Sequence, residues 1–243
     1  MDSALNFDTV LIANRGEIAC RIIRSAQALG LKTVAVYSDA DAGAAHVQMA
    51  DTAVRLGPPQ ASQSYLRGDR VMEAALATGA GAIHPGYGFL AESADFASTV
   101  ADAGIAFVGP SPEQLRIFGD KHTARQAALA SGVPLVAGSG LLESADHAIA
   151  EADRIGYPVM LKAVGGGGGI GMQACTDADE VRAAYDRVQR LAASNFSTDG
   201  VFLEQLITVA RHVEVQVFGD GGSRVISLGT RDCSLQRRNQ KVI

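Results

Sequence analysis

Between residues 9 and 108, short apolar runs alternate with helix-length segments, and that rhythm restricts the fold more than any other feature of the sequence. Residues 9–13 read as a buried strand. Ile18, Ile22, Ala26 and Leu29 then recur on one helical face, with Gly30 where a C-terminal cap belongs. Residues 32–37 and 52–56 are further strands. Residues 68–78 form a helix closed by Gly79, and residues 82–84 a strand. A helix from Ser93 stops before Gly104, and residues 106–108 follow as a fifth strand. Alternation at these lengths implies βαβ crossovers, hence a mostly parallel sheet covered on both faces. Such a sheet offers a ligand crevice at the C-terminal ends of its strands.

Beyond residue 110 the pattern changes. Ser111, with Pro112 next and Gln114 three residues on, signals a helix start. That helix and a second over residues 121–131 form a bridge with no strand between them. We place a boundary near residue 132, followed by a smaller α+β unit. It comprises a helix over 144–155, strands over 158–163 and 172–175, a helix from Asp177 to about residue 193, and a strand over 201–207. Residues 211–218 alternate strictly, with His212, Glu214 and Gln216 facing one way and Val213, Val215 and Val217 the other. Residues 219–222 turn the chain, and residues 224–230 return as the hairpin partner. A strand pair with an uncovered apolar face needs more protein behind it. With the charged cluster that precedes Ile243, this reads as a truncated chain.

Composition narrows the function classes. Across 243 residues the net charge is −5, which gives no overall positive field for a polyanion, so a nucleic-acid partner is not expected. No apolar run reaches the roughly 18 residues of a membrane span. Cys20, Cys175 and Cys233 fit no metal-ligand spacing and read as small hydrophobes of a reducing compartment, the cytoplasm by default. No metal ligands are assigned.

The most informative motif is Lys162 followed by five glycines, residues 165–169. Glycines there either form a flexible surface loop or bring backbone N–H groups against a phosphate without side-chain clash. Because they join two apolar strand segments, they read as a hairpin tip able to act as a lid. The P-loop pattern fails, since the lysine precedes the glycines. The dinucleotide fingerprint fails too, since the first strand leads into Asn14-Arg15-Gly16-Glu17 with a single glycine. His84-Pro85-Gly86-Tyr87-Gly88 is a tight turn or a crevice wall. Lys121 is a solvated helix lysine or a ligand cation. Glu204 lies among apolar neighbours, and it either faces an edge or accepts from a ligand. His212, on the polar strand face, is equally open. Gln236, Arg237, Arg238, Asn239, Gln240 and Lys241 are a basic loop or a site for a small planar anion.

Taken together, Ile12-Ala13-Asn14-Arg15-Gly16-Glu17, His84-Pro85-Gly86-Tyr87-Gly88, Gly119-Asp120-Lys121, Lys162 with its glycines, Arg211-His212-Val213-Glu214 and Arg231-Asp232-Cys233-Ser234 resemble biotin carboxylases in order and spacing. The resemblance spans nearly the whole chain. It implies an α/β protein: a Rossmann-like parallel-sheet domain (residues 1–118), a helical bridge (119–132), an α+β ATP-grasp lid (133–203) and the start of a C-terminal ATP-grasp domain (204–243). Within the family, Ile170 and Asn239 resemble urea carboxylase, where acyl-CoA and pyruvate carboxylases typically carry Arg and His. Thr230 departs from the usual Glu and puts hydrogen bonding there in question.

The resemblance implies that Lys121 and Lys162 contact ATP phosphates, with Gly168 and Gly169 closing over them. Glu204 and Ile207 would lie at the adenine and His212 near the ribose. Asn239 would lie at the bicarbonate end, with Gln236 and Lys241 in catalytic roles. The implied reaction is ATP- and bicarbonate-dependent carboxylation of biotin through carboxyphosphate, an ATP-dependent C–N ligation. Its Mg2+ ligands belong to a C-terminal part outside this sequence, and biotin arrives on a carrier domain or protein; a homodimer is compatible. The isolated chain is expected to turn over little or not at all. Rival readings are an acyl-CoA or pyruvate carboxylase, another ATP-grasp ligase such as carbamoyl phosphate synthetase, a non-catalytic nucleotide-binding module, and a structural fragment without a ligand.

Overall fold

A computed structural model of the chain describes residues 6–164, 171–195, 200–222, 224–237 and 240–241. The chain divides into two compact units, Met1–Gly119 and Asp120–Ile243.

The first unit runs β1 (Thr9–Ile12), α1 (Gly16–Ala28), β2 (Lys32–Ser38), α2 (Ala45–Met49), β3 (Thr52–Gly57), α3 (Gly68–Thr78), β4 (Ala82–His84), α4 (Ala94–Asp102), β5 (Ala106–Phe107) and α5 (Pro112–Gly119). Its five strands pair in parallel in the order β3-β2-β1-β4-β5. The pleat sends alternate residues to opposite faces. Leu11, Val34, Val36 and Ile83 pack with Val71, Ala75, Phe96 and Val100 on one side. Val10, Ile12, Ala35 and Ala82 pack with Ile18, Ile22 and Ile23 of α1 on the other. Both faces are covered, as a parallel sheet requires. The start of α5 is a reciprocal cap: Gln114 N donates to Ser111 Oγ at 3.2 Å, and Ser111 N to Gln114 Oε1 at 2.9 Å. Helix α2 has no counterpart in the sequence pattern. Its five residues are too few for a periodic stripe, and buried His46 holds it through a 3.2 Å contact between Nε2 and the Val36 carbonyl.

The second unit begins with α6 (Lys121–Ala130) and α7 (Ala145–Ile155), followed by β6 (Val159–Ala163), β7 (Met172–Cys175), α8 (Ala178–Asn195) and β8 (Val201–Gln205). Strands β7-β6-β8 form an antiparallel sheet. Val159, Leu161, Val201 and Leu203 pack with Ala148, Ala152, Val181, Tyr185 and Val188 of the two helices. A capping box starts α8: Glu180 N donates to Asp177 Oδ1 at 2.9 Å, and Thr176 N to Glu180 Oε2 at 2.6 Å. The division into units falls before α6, and within the second unit Arg125 of α6 is bonded to Val136 and Glu204.

Strands β9 (Val213–Gly219) and β10 (Val225–Asp232) form a hairpin, followed by the short pair β11 (Gln236–Arg237) and β12 (Gln240–Lys241). β9 starts at Val213, two residues later than the alternation suggests. At the preceding positions Arg211 donates to Asp232 Oδ2 at 2.7 Å and His212 N to Ser234 Oγ at 2.9 Å, while the His212 carbonyl accepts from Cys233 N at 2.7 Å. Val213, Val215 and Val217 of β9, with Val225 of β10 paired opposite Gly219, are each more than half exposed, the uncovered apolar face that the alternation implies. Among the described residues, no helix is long and apolar enough to cross a membrane.

Candidate functional site

Strand β6 sorts its side chains with a period of two. Val159, Leu161 and Ala163 are fully buried, while Met160 and Lys162 point to the other face. In the antiparallel register Met160 faces Glu204 and Lys162 faces Phe202, which makes Lys162 and Glu204 diagonal neighbours on that face. Lys162 Nζ donates to Glu204 Oε2. From the other side, Arg125 NH1 donates to Glu204 Oε1 at 3.2 Å, and its NH2 to the Val136 carbonyl at 2.6 Å.

Lys121 opens α6, where Asp120 accepts from Thr123 N at 2.8 Å and fixes the start of the helix. One turn separates Lys121 from Arg125, so both rise from the same helical face. The Lys121 residue is exposed along its length, yet its amine is held below the ordinary lysine value, first by desolvation and then by the charge of Lys162; Glu204 opposes this. Lys121, Lys162 and Arg125 against one carboxylate leave two positive charges uncompensated. Such a set attracts an anion carrying several negative charges, and its partly buried members are screened less than surface pairs.

The other expected residues lie in different settings. Strand β8 ends at Gln205, whose N–H donates to the Ala137 carbonyl at 2.8 Å, leaving Ile207 beyond the strand and half exposed. His212 contacts Ser234 and lies 3.8 Å from Glu214. The backbones of Gln236 and Lys241 pair across β11 and β12. β6 and β7 pair up to Ala163 and Gly171 on either side of the glycine run. Gly168, Gly169 and Asn239 lie outside the described residues. Arg125 was not singled out from the sequence; its signal was the four-residue spacing from Lys121.

In the first unit, Asn14 at the end of β1 donates through Nδ2 to the carbonyls of Pro85 and Tyr87, both at 2.8 Å. Gly86 has φ +68°, and a Cβ there would lie 2.7 Å from Asn14 Nδ2. The turn after β4 is therefore locked to the end of β1. Among the described residues, no group of three or more His, Cys, Asp or Glu side chains is placed to hold a metal ion.

Residues 120–243 match the carbamoyl-phosphate synthase L chain, ATP binding domain family. Residues 6–115 match the biotin carboxylase, N-terminal domain family. The chain belongs to the biotin carboxylase family.

This biotin carboxylase chain is 51% identical over 237 residues to a putative urea carboxylase of Emericella nidulans, covering 97% of the chain and 19% of that protein. It is equally 51% identical over 237 residues to the methylcrotonoyl-CoA carboxylase subunit alpha of Arabidopsis thaliana, covering 97% of the chain and 32% of the relative. Its fold matches the biotin carboxylase domain of Hydrogenobacter thermophilus 2-oxoglutarate carboxylase with a TM-score of 0.90 and 45% identity, over 98% of this chain and 52% of that one. That structure is a dimer in complex with MgADP, ADP and bicarbonate. The chain thus spans about half or less of the length of these relatives.

Proposed function

We propose that this chain supplies the nucleotide-phosphate grip of a biotin carboxylase that couples ATP cleavage to carboxylation of biotin by bicarbonate. The observation that carries this reading is the gathering of Lys121 and Lys162 around Glu204, two ammonium groups from separate elements converging beside one carboxylate. Lysines so placed neutralise charge developing on the phosphoryl group as bicarbonate attacks it, and carboxyphosphate then breaks down to CO2 for biotin. Gly168 and Gly169 close over the phosphates and exclude water from that reactive species. Glu204 and Ile207 face the adenine and His212 the ribose, while Asn239, Gln236 and Lys241 hold bicarbonate. Among the described residues no group of three or more His, Cys, Asp or Glu side chains is placed to hold a metal ion, and the role assigned to Lys121 and Lys162 is binding and positioning phosphate.

Ile170 and Asn239 support a urea-type acceptor, with an acyl-CoA or pyruvate acceptor as the second reading; equal identity to urea- and acyl-CoA-type relatives does not separate them. Cys20 and Cys175, both buried free thiols, support a reducing compartment such as the cytoplasm. A biotin carrier is the macromolecular partner, and a homodimer accords with the dimer of the thermophile domain. The test is phosphate release from ATP by the full-length protein, with and without bicarbonate and free biotin. Release that requires both supports the reading, whereas release indifferent to bicarbonate overturns it. The 243-residue chain alone is expected to show no such release.

The same grip predicts a pH dependence. A bound phosphate favours the ammonium form of Lys121 and raises its pKa, so binding takes up protons as pH nears the lowered value of the free site. ATP affinity should therefore be full below that value and be lost as pH rises through it, earlier than an ordinary lysine would dictate. Calorimetry in buffers of different ionisation enthalpy measures the proton uptake. Lys121→Arg, charged throughout this range, should flatten the profile.

A further inference from the structure

In the free site Lys162 is committed to Glu204, and a phosphate that recruits Lys162 must take it from that carboxylate. Glu204 is three-quarters buried, with its side chain 24% exposed. Left alone beside an incoming polyanion, it would be an unpaired, largely desolvated charge of the wrong sign. Arg125 occupies the opposite oxygen, Oε1, so its bond does not compete with Lys162 for Oε2. Its side chain is 13% exposed, and the bond from NH2 to the Val136 carbonyl anchors the guanidinium independently of any ligand. The surroundings are shaped for it. Gly138 pairs with Glu204 in an isolated bridge, and a Cβ at 138 would lie 2.8 Å from Arg125 NH2 and 2.9 Å from the Leu203 carbonyl. A glycine there leaves the guanidinium its route to the carboxylate.

We propose that Arg125 is a positioning residue for nucleotide binding, a standing counter-ion that keeps Glu204 neutralised and so frees Lys162 for a phosphate oxygen. This rests on the nucleotide reading given above. A merely structural Arg125, stapling α6 to β8, would affect every ligand of the site alike. A counter-ion role bears on the phosphate-dependent part of affinity only.

The experiment titrates the full-length protein with ATP and with adenosine, which lacks phosphate, in wild type, Arg125→Met and Arg125→Lys. Arg125→Met should weaken ATP by about tenfold, the size of a partly buried charge-assisted hydrogen bond, and leave adenosine within about twofold. Arg125→Lys should recover most of the loss, because it restores the positive charge beside Glu204. Equal losses for ATP and adenosine, unchanged ATP affinity in Arg125→Met, or no recovery in Arg125→Lys each overturn the proposal while leaving the nucleotide site in place. A wild type that binds neither ligand overturns the nucleotide reading and this proposal with it. Should Arg125→Met not fold, Arg125→Gln against Arg125→Lys carries the same comparison of charge at similar length.

Discussion

Lys162→Met should lower the affinity of the full-length protein for ATP by about 10- to 100-fold, the range expected for loss of a charge-assisted contact to phosphate. Bicarbonate-dependent ATP cleavage should fall further, by about 100- to 1,000-fold, because a donor aimed at developing charge matters most in the transition state. The fold should survive. Lys162 is on the face of β6 turned away from the core, its aliphatic stem resembles methionine in bulk, and Glu204 retains Arg125 as a partner. The melting temperature should therefore shift by only a few degrees. Lys162→Arg keeps the charge but replaces a compact ammonium with a planar fork, and recovery should be partial. ATP cleavage within about threefold of wild type in Lys162→Met would remove this lysine from the grip.

The second large effect is on stability. Leu203 is fully buried on β8, immediately before Glu204, within the core under α7 and α8. Both of its backbone polar groups are held by Ser139: Leu203 N donates to Ser139 Oγ at 2.9 Å, and its carbonyl accepts from Ser139 N at 2.9 Å. A strand so held cannot slide to fill a void. Leu203→Ala should then fall in the upper part of the range for buried leucines, about 3–5 kcal/mol. Urea unfolding followed by circular dichroism measures this through the midpoint, with the slope unchanged if only stability moves. Val215→Ala on the exposed hairpin is the control and should cost about 0.5 kcal/mol or less. A small effect at Leu203 would mean that β8 has room to adjust, and Glu204 would then not be rigidly placed.

Local rules accounted for most of the elements because local and tertiary preferences agree there. Gly79 adopts φ +67° behind α3 as a left-handed cap, and the boundaries of α3 and β4 follow the punctuation around them. The serine–glutamine and aspartate–glutamate spacings became hydrogen-bonded caps at α5 and α8. Where prediction and structure part, long-range contacts decide. No local window contains the tie between Arg125 and Glu204, seventy-nine residues apart in the chain. The onset of β9 is set by Asp232 and Ser234 from the returning strand.

The site was legible to the same degree. Lys162 is marked by its glycines and Lys121 by the Gly-Asp-Lys sequence, but their convergence depends on the β6–β8 register, which no local window contains. Arg125 carries no motif of its own. Its role emerges only when the carboxylate on a distant strand is seen to need two partners.

The alternation along β6 has a consequence for how this segment tolerates change. The ion pair with Glu204 and the hydrophobic packing are written into the same five letters, interleaved like two messages on alternate characters. Substitutions can revise one message without touching the other. Deleting or inserting a single letter upstream within the strand would exchange them, thrusting an ammonium into hydrocarbon and a leucine toward the Glu204 carboxylate. Length here should be far less forgiving than identity.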